Sequence, residues 1–304
     1  MNRIVHRHSG KELLTMQRWV AITLLLVTTF FWGITFTMVK EAIRQVDVFV
    51  FLSQRFIVAF FILGILSLSQ KKTFDSQALK RGVSLGLFLF GGYAFQTVAL
   101  KYTTASNAGF LTGLSVVLVP LIGFLVFGQS VSKNVRWGVL LATIGLFLLC
   151  TNGTWTMNYG DLLTILCALC VAWHIIFTGE FAPVSDVYWL TTVQIGIVAL
   201  LSTLAAQWGG RSVFIWHPEI LWALVICVLF ATVFAFLVQT SAQRVISPSH
   251  IALIFCTEPV FAALYAYWAV HERLGSYGMI GATLILAGMV ISRPTTSEKN
   301  SNSK

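Results

Sequence analysis

QTVALKYTTASNAGFLTGLSVVLVPLIGFLVFGQSVSKNVRWGVLLATIG (96–145) and QTSAQRVISPSHIALIFCTEPVFAALYAYWAVHERLGSYGMIGATLILAG (239–288) are two stretches of one chain that read in register. A shift of 143 residues lays Gln96-Thr97-x-Ala99 on Gln239-Thr240-x-Ala242 and Ser106 on Ser249. It also lays Leu121 on Leu264, Gly138 on Gly281, Leu141 on Leu284 and Gly145 on Gly288. Gln129 falls on Glu272, just beyond two apolar runs, and at a nearly equal shift Trp32 falls on Trp173. Self-similarity at a fixed period marks a duplicated unit.

Outward from this pair the chain is a series of apolar runs, near 19–39, 48–68, 83–100, 105–127, 136–151, 161–180, 188–206, 219–241, 250–270 and 277–292. Ten runs of about membrane length predict an all-α integral membrane protein with ten transmembrane helices. Five runs fall in each copy, 19–151 and 161–292. An odd number forces the two copies to enter the membrane from opposite sides, which is an inverted five-helix repeat. Residues 1–18 form a polar, basic segment, and the tail 293–304 is polar, of low complexity and expected to be disordered. The run after Trp19 is too long for a signal-peptide core and is read as a retained first helix, with Met16 an alternative start.

Composition agrees. Apolar residues make up 57% of the 304 and charged residues 10%, whereas a soluble domain carries roughly 25% charged residues. This excludes a soluble domain, a disordered chain, collagen and a secreted disulfide scaffold. The +9 net charge is mainly a topology signal. With the N-terminus in the cytoplasm, 14 of the 20 Lys and Arg fall on the cytoplasmic side. Five fall outside: Lys40, Arg44, Lys101, Arg211 and Arg273. The positive-inside rule then places both termini in the cytoplasm, and nucleic acid is not a partner. The five cysteines, Cys150, Cys167, Cys170, Cys227 and Cys256, sit in or beside apolar runs and read as small apolar filler. A Cys-free variant is expected to keep its activity.

Polar groups at membrane depth are costly and point to function. Glu258 lies near the centre of the ninth run, directly before Pro259, and suits proton coupling or a cationic group. Arg55 lies seven residues into the second run, roughly 10 Å deep, and suits a carboxylate or phosphate. Neither charge has a counterpart at the 143 shift: Glu258 meets Ser115, and Arg55 meets Gly196-Ile197-Val198. Shared residues are therefore expected to build the frame and unshared charges to select the cargo. His174, Tyr93, Gln96, Asn107 and Gln239 offer neutral hydrogen bonds. Trp32 and Trp173 offer flat faces to a substrate or simply pack. Ala105, Gly109 and Gly113, four apart, predict a close helix crossing, as do Gly138, Gly145, Gly281 and Gly288. Pro120 and Pro259 predict bends or broken hydrogen-bond ladders in runs four and nine. No G-x4-G-K-[ST], H-E-x-x-H or G-x-S-x-G is present, so no ATP, zinc or nucleophile-elbow chemistry is expected, and no cofactor or metal.

The stretches WGITFTMVK (32–40), ASNAGFLTGLSVVLVPL (105–121), QTSAQRVISPSHIAL (239–253), EPVFAALYAY (258–267) and HERLG followed by GATLILAGMVIS (281–292) resemble the EamA-type transporters of the drug/metabolite transporter superfamily. The likeness covers 19–292. It implies ten helices in two inverted repeats, cytoplasmic termini and a bacterial inner-membrane protein that moves amino acids or other small metabolites, often outward. It also implies a central cavity between helices 1, 3, 4, 6, 8 and 9, lined here from Trp32, Tyr93, Gln96, Asn107, Trp173, His174, Gln239 and Glu258, with Arg55 beside them. Gln129 departs from the Glu often found after helix 4. Taken together, the expectation is a secondary transporter, not an enzyme, working as a gradient-driven exporter by alternating access. Its partners are a small molecule, the lipid bilayer and a coupling proton, and its oligomeric state stays open. The alternatives are an importer or exchanger of a nucleotide-like or amphipathic cofactor and, outside transport, an integral-membrane enzyme or receptor subunit.

Overall fold

A computed structural model describes residues 2–70, 74, 76–151, 157–213, 218–270 and 275–292, with only the backbone given for 2–16, 105, 106, 151, 266, 269 and 270. Glu272, Arg273 and the tail 293–304 lie outside the described residues. The described residues are helical throughout, with no strand. Nine helices among them are long and apolar enough to cross a membrane, and a tenth, Ser276–Ile291, is apolar but shorter.

The first repeat consists of α1 (Asn2–Gln45), α2 (Val48–Ser69), α3 (Ser76–Ala99), the pair α4 (Ala105–Gly113) and α5 (Ser115–Phe127), and α6 (Lys133–Thr151). The second consists of α7 (Tyr159–Phe181), α8 (Val187–Trp208), a composite crossing, the pair α11 (Pro248–Phe255) and α12 (Glu258–Val270), and α13 (Ser276–Ile291). The composite crossing joins α9 (Leu221–Val228), a π-helical turn (Leu229–Phe234) and α10 (Ala235–Ala242). The described residues make ten crossings, an even number, so the start of α1 and the end of α13 lie on one face, here named the terminal face. The other is the opposite face.

The repeats pair off as an inverted duplication requires. Crossings of like kind meet each other: α6 packs on α13 and α2 on α8. Crossings of unlike kind meet in exchanged pairs, α3 on α7 matching α10 on α1, and α4 with α5 on α7 matching α12 on α1. The α6–α13 seam is built on glycine. A Cβ at Gly138 would lie 2.7 Å from the Gly288 carbonyl oxygen, and one at Gly145 would lie 2.6 Å from that of Gly281. These four residues exchange under the 143 shift, so the seam is its own mirror in the repeat. The predicted close crossing there is present.

The triplet in span four behaves differently. A Cβ at Gly113 would meet the Leu146 side chain and one at Gly109 only the ring of Pro259, so these glycines fit side chains and not a neighbouring backbone. Span four is also not one continuous helix. It breaks at Leu114, whose N–H donates to Leu111 three residues back, and span nine breaks at Thr257 in the same way, onto Ile254. Leu114 and Thr257 are 143 residues apart. Pro259 follows its break closely and crowds the Phe255 carbonyl, but Pro120 sits well inside α5. The break therefore belongs to the repeat, and the prolines do not set it in both copies. Cys256 Sγ contacts the Gly113 carbonyl at 3.7 Å. These two residues are also repeat mates, so their contact marks the pseudo-two-fold axis.

Helices α2 and α8 fix a second register. Asp47 caps α2 by accepting from Phe49 N–H at 2.9 Å, and Asp186 caps α8 from Tyr188 and Trp189 at 3.0 and 3.1 Å. Aligning the caps gives a shift of 139 for this span. The mate of Arg55 is then Gln194, not the apolar Gly196-Ile197-Val198 that the 143 shift implied.

Candidate functional site

A cavity of about 100 Å³ lies at the centre of the molecule, room for several waters at roughly 10–15 Å³ each. Its wall crosses the pseudo-two-fold axis. Four pairs of repeat mates line it together: Gln96 with Gln239, Tyr93 with Phe236, Thr112 with Phe255, and Ser115 with Glu258. The frame thus supplies both halves of the wall. Where the mates differ, the chemistry differs, with hydroxyls on Tyr93 and Thr112 against rings on Phe236 and Phe255, and a carboxyl on Glu258 against a hydroxyl on Ser115.

Seven of the nine residues singled out from the sequence line this cavity: Trp32, Arg55, Tyr93, Gln96, His174, Gln239 and Glu258. Asn107 and Trp173 do not. Asn107 lies in the first turn of α4, where its backbone N–H donates to the Thr104 hydroxyl at 3.0 Å. Trp173 stacks on Phe88 and Phe177, and Phe177 in turn on Phe181. The aromatic ladder between α3 and α7 turns the indole away from the cavity. Its mate Trp32 packs instead against Phe236 and Phe255 at the cavity wall.

Arg55 is 3% exposed and has no carboxylate within ion-pair distance among the described residues. Its partners are neutral. Nε donates to the Thr232 hydroxyl at 2.8 Å, and Nη2 to the Ala231 carbonyl at 3.0 Å and the Tyr93 hydroxyl at 3.2 Å. The guanidinium also lies 4.8 Å from the centre of the Tyr93 ring, a cation–π contact. Two of these acceptors come from the π turn. A π turn is one residue wider than an α turn and is often found at functional sites. The Thr232 hydroxyl donates to the Cys227 carbonyl five residues back, at 2.7 Å, and the Ala231 carbonyl also takes the Trp32 indole N–H at 2.9 Å. Nothing in the sequence signalled this turn.

Glu258 begins α12, half-buried on the cavity wall. Its carboxyl makes no hydrogen bond or ion pair within the described residues. Its backbone is gripped by α1, because Gly33 lets the helix close so far that a Cβ there would stand 2.7 Å from the Glu258 carbonyl oxygen and 2.8 Å from Ala262 N. Next to it the Thr257 hydroxyl bonds to Thr29 at 2.9 Å and donates to the Ile254 carbonyl, which also accepts the Thr257 N–H, at 2.7 Å.

His174 is held in a buried amide chain. Its Nε2 pairs with Gln194 Oε1 at 2.7 Å and its Nδ1 faces Gln239 Nε2 at 3.5 Å. Gln239 continues to Gln243 at 3.1 Å and Gln243 to the Ile175 carbonyl at 2.6 Å. The arrangement suits a neutral ring with its proton on Nε2, which leaves Gln194 Nε2 buried without a partner. Cys167, read as filler from the sequence, lies on the cavity wall. Thr35, Thr97 and Ser115 line it as well; short hydroxyl side chains carry too little sequence signal to be picked out within a helix.

Toward the terminal face the cavity is closed by apolar packing, where Leu25, Ile176, Ala242, Ile246 and Ile251 belong to one buried cluster. Toward the opposite face its wall runs out to Val39 and Leu100, which belong to a second buried apolar cluster. Leu100 also lines a groove that opens on that face.

The model of the EamA-like transporter family matches residues 19–151 and 158–293. The chain belongs to this family. It is a multi-pass membrane protein of transporter type, and its two matched segments are the two five-helix repeats. An uncharacterized transporter of Archaeoglobus fulgidus is 35% identical over 261 residues, spanning 86% of this chain and 81% of that one. The uncharacterized transporter YyaM of Bacillus subtilis is 24% identical over 284 residues, spanning 88% and 91%. A crystal structure at 18% identity superposes with a TM-score of 0.74 over 93% of this chain and 99% of the other, which shows a shared fold.

Proposed function

We propose that this EamA-family protein is a secondary transporter that exports amino acids or similar small zwitterionic metabolites by alternating access. The supporting observation is the central cavity, which straddles the repeat axis and carries, among the described residues, one cation without a counter-ion and one carboxyl without a partner. A buried charge with no compensating charge is costly. A cargo that brings a carboxylate to Arg55 and an ammonium to Glu258 offsets that cost only while it is bound. With the cavity empty, Glu258 is free to take up a proton, which couples the cycle to a proton gradient across the membrane. The cavity is small, and Trp173 is turned away from it. Both features favour a compact solute over a nucleotide-like one.

The same reading places the protein in a bacterial inner membrane with the terminal face in the cytoplasm, as the weight of Lys and Arg there supports. The amide chain around His174 positions Gln239, and the π turn positions Arg55. No step forms or breaks a covalent bond, and the chain is not an enzyme in this account. Counterflow in proteoliposomes, run against a panel of radiolabelled amino acids at two pH values, tests the proposal. Uptake of at least one amino acid, lost in Arg55→Met and altered in its pH dependence in Glu258→Gln, is the expected result. Full uptake by both variants would refute the assignment.

A further inference from the structure

By the positive-inside count five cations fall on the opposite side, where they have no topological use, and four of them are among the described residues. Arg211 is ion-paired with Asp47, and Arg273 lies outside the described residues. The other three, Lys40, Arg44 and Lys101, all line one groove of about 540 Å³ between the end of α1 and the turn at 100–104. Among the described residues no carboxylate lines that groove. Glu41 pairs with Arg44 at the solvent edge, at 2.9 Å. Asp161 lies behind the wall, fully buried, with its carboxylate taken by the Thr103 hydroxyl at 2.6 Å and Asn158 N–H at 3.0 Å. Lys40 Nζ donates to the Thr103 carbonyl at 3.2 Å. Lys101 is exposed, and its ammonium group has no partner within the described residues.

The repeat supplies a comparison. A groove of about 610 Å³ on the terminal face is lined by Arg244, Val245 and Gln17, the mates of Lys101, Tyr102 and Asn158. The rest of its wall is apolar apart from Ser241, and includes Val20, Leu24 and Leu237 but no second cation. The inverted frame thus makes one groove at each end, and only the one on the opposite face has gathered further cations. Their presence does not follow from the fold. That groove also shares Leu100 with the central cavity, where Arg55 lies farther in.

We propose that the opposite-face groove is a staging site for the anionic group of the cargo, a carboxylate or phosphate, held one residue layer outside the cavity that contains Arg55. The proposal rests on the transporter reading. Cations lining a cleft with low-dielectric walls raise the local concentration of anions, so the site serves loading or release on that face. The phosphate of an anionic lipid headgroup has the same chemistry, and the test separates the two sources.

Tyr102→Cys and its mate Val245→Cys are placed singly in nanodiscs of phosphatidylcholine. Each is modified with an anionic or a cationic methanethiosulfonate of similar size, and the adduct is counted on its own peptide by mass spectrometry, so the five native cysteines stay in place. The expected ratio of anionic to cationic rates is about tenfold higher at position 102 than at 245. It should fall to the level of position 245 in Lys101→Gln and, as an independent variant, drop in Lys40→Gln. Inorganic phosphate should slow the anionic reagent at 102 more than sodium chloride of equal ionic strength. Equal ratios at the two positions would overturn the proposal. So would loss of both the ratio and the phosphate effect on adding phosphatidylglycerol, because the groove would then belong to lipid headgroups. None of these readouts needs transport, so absence of flux would overturn the transporter reading and leave the anion site standing.

Discussion

Arg55 and Glu258 separate two roles that a buried charge can play. A structural charge is matched inside the protein, whereas these two face a shared cavity with neutral or no partners. A buried charge carries a desolvation cost that an apolar residue of similar size does not, and removing Arg55 strands no counter-ion. Arg55→Met is therefore expected to hold stability within about 1 kcal/mol of wild type or raise it, while flux falls at least about tenfold. Thermal unfolding of the purified protein and proteoliposome uptake give the two numbers. A large loss of stability would instead make Arg55 a folding element. Glu258→Gln keeps shape and removes the titrating proton, so it should unfold at nearly the wild-type temperature and flatten the dependence of transport on pH. An unchanged pH profile would remove Glu258 from coupling.

At the scale of elements, the close contacts are asymmetric in what they tolerate. Gly33 faces backbone at the Glu258 break, which cannot move aside as a side-chain tip can. Gly33→Ala should cost about 1–3 kcal/mol through overpacking, whereas Gly64→Ala, with nothing within 4 Å of the added carbon, should be neutral or mildly stabilising. Midpoints of thermal unfolding for the pair check this. The π turn makes a second prediction. A single-residue deletion within 229–234 restores α-helical winding without changing the register on either side. It would remove the freed carbonyl at Ala231 and the acceptor at Thr232. The expected outcome is a folded protein with intact helicity by circular dichroism and uptake reduced about as far as in Arg55→Met.

At the scale of the whole molecule, the duplication was legible because Gln96, Gly138 and Gly145 meet their mates at one shift, and helix-forming apolar runs of bilayer length leave few alternatives. The charges in the cavity were legible because a Glu or Arg at membrane depth stands out. What escaped notice depends on packing between distant segments. Trp173 and Trp32 occupy the same place in the repeat, yet only Phe88, Phe177 and Phe181 together turn one of them away. Gln194 was hidden as the mate of Arg55 because spans two and seven run at a shift of 139, four residues from the shift that the long match defines. The breaks at Leu114 and Thr257 have no shared residue type, and the π turn has no signature in a run as apolar as 221–238.

The central claim is that a single cavity between inverted repeats opens to each face in turn. Cys167, a native thiol on that cavity wall, reports on it directly. In oriented proteoliposomes a membrane-impermeant thiol reagent is added outside or sealed inside, and the adduct at Cys167 is measured by mass spectrometry on its peptide. The account predicts labelling from both faces, slowed on both by a transported amino acid. Labelling from one face alone, under conditions in which the protein turns over, would contradict it.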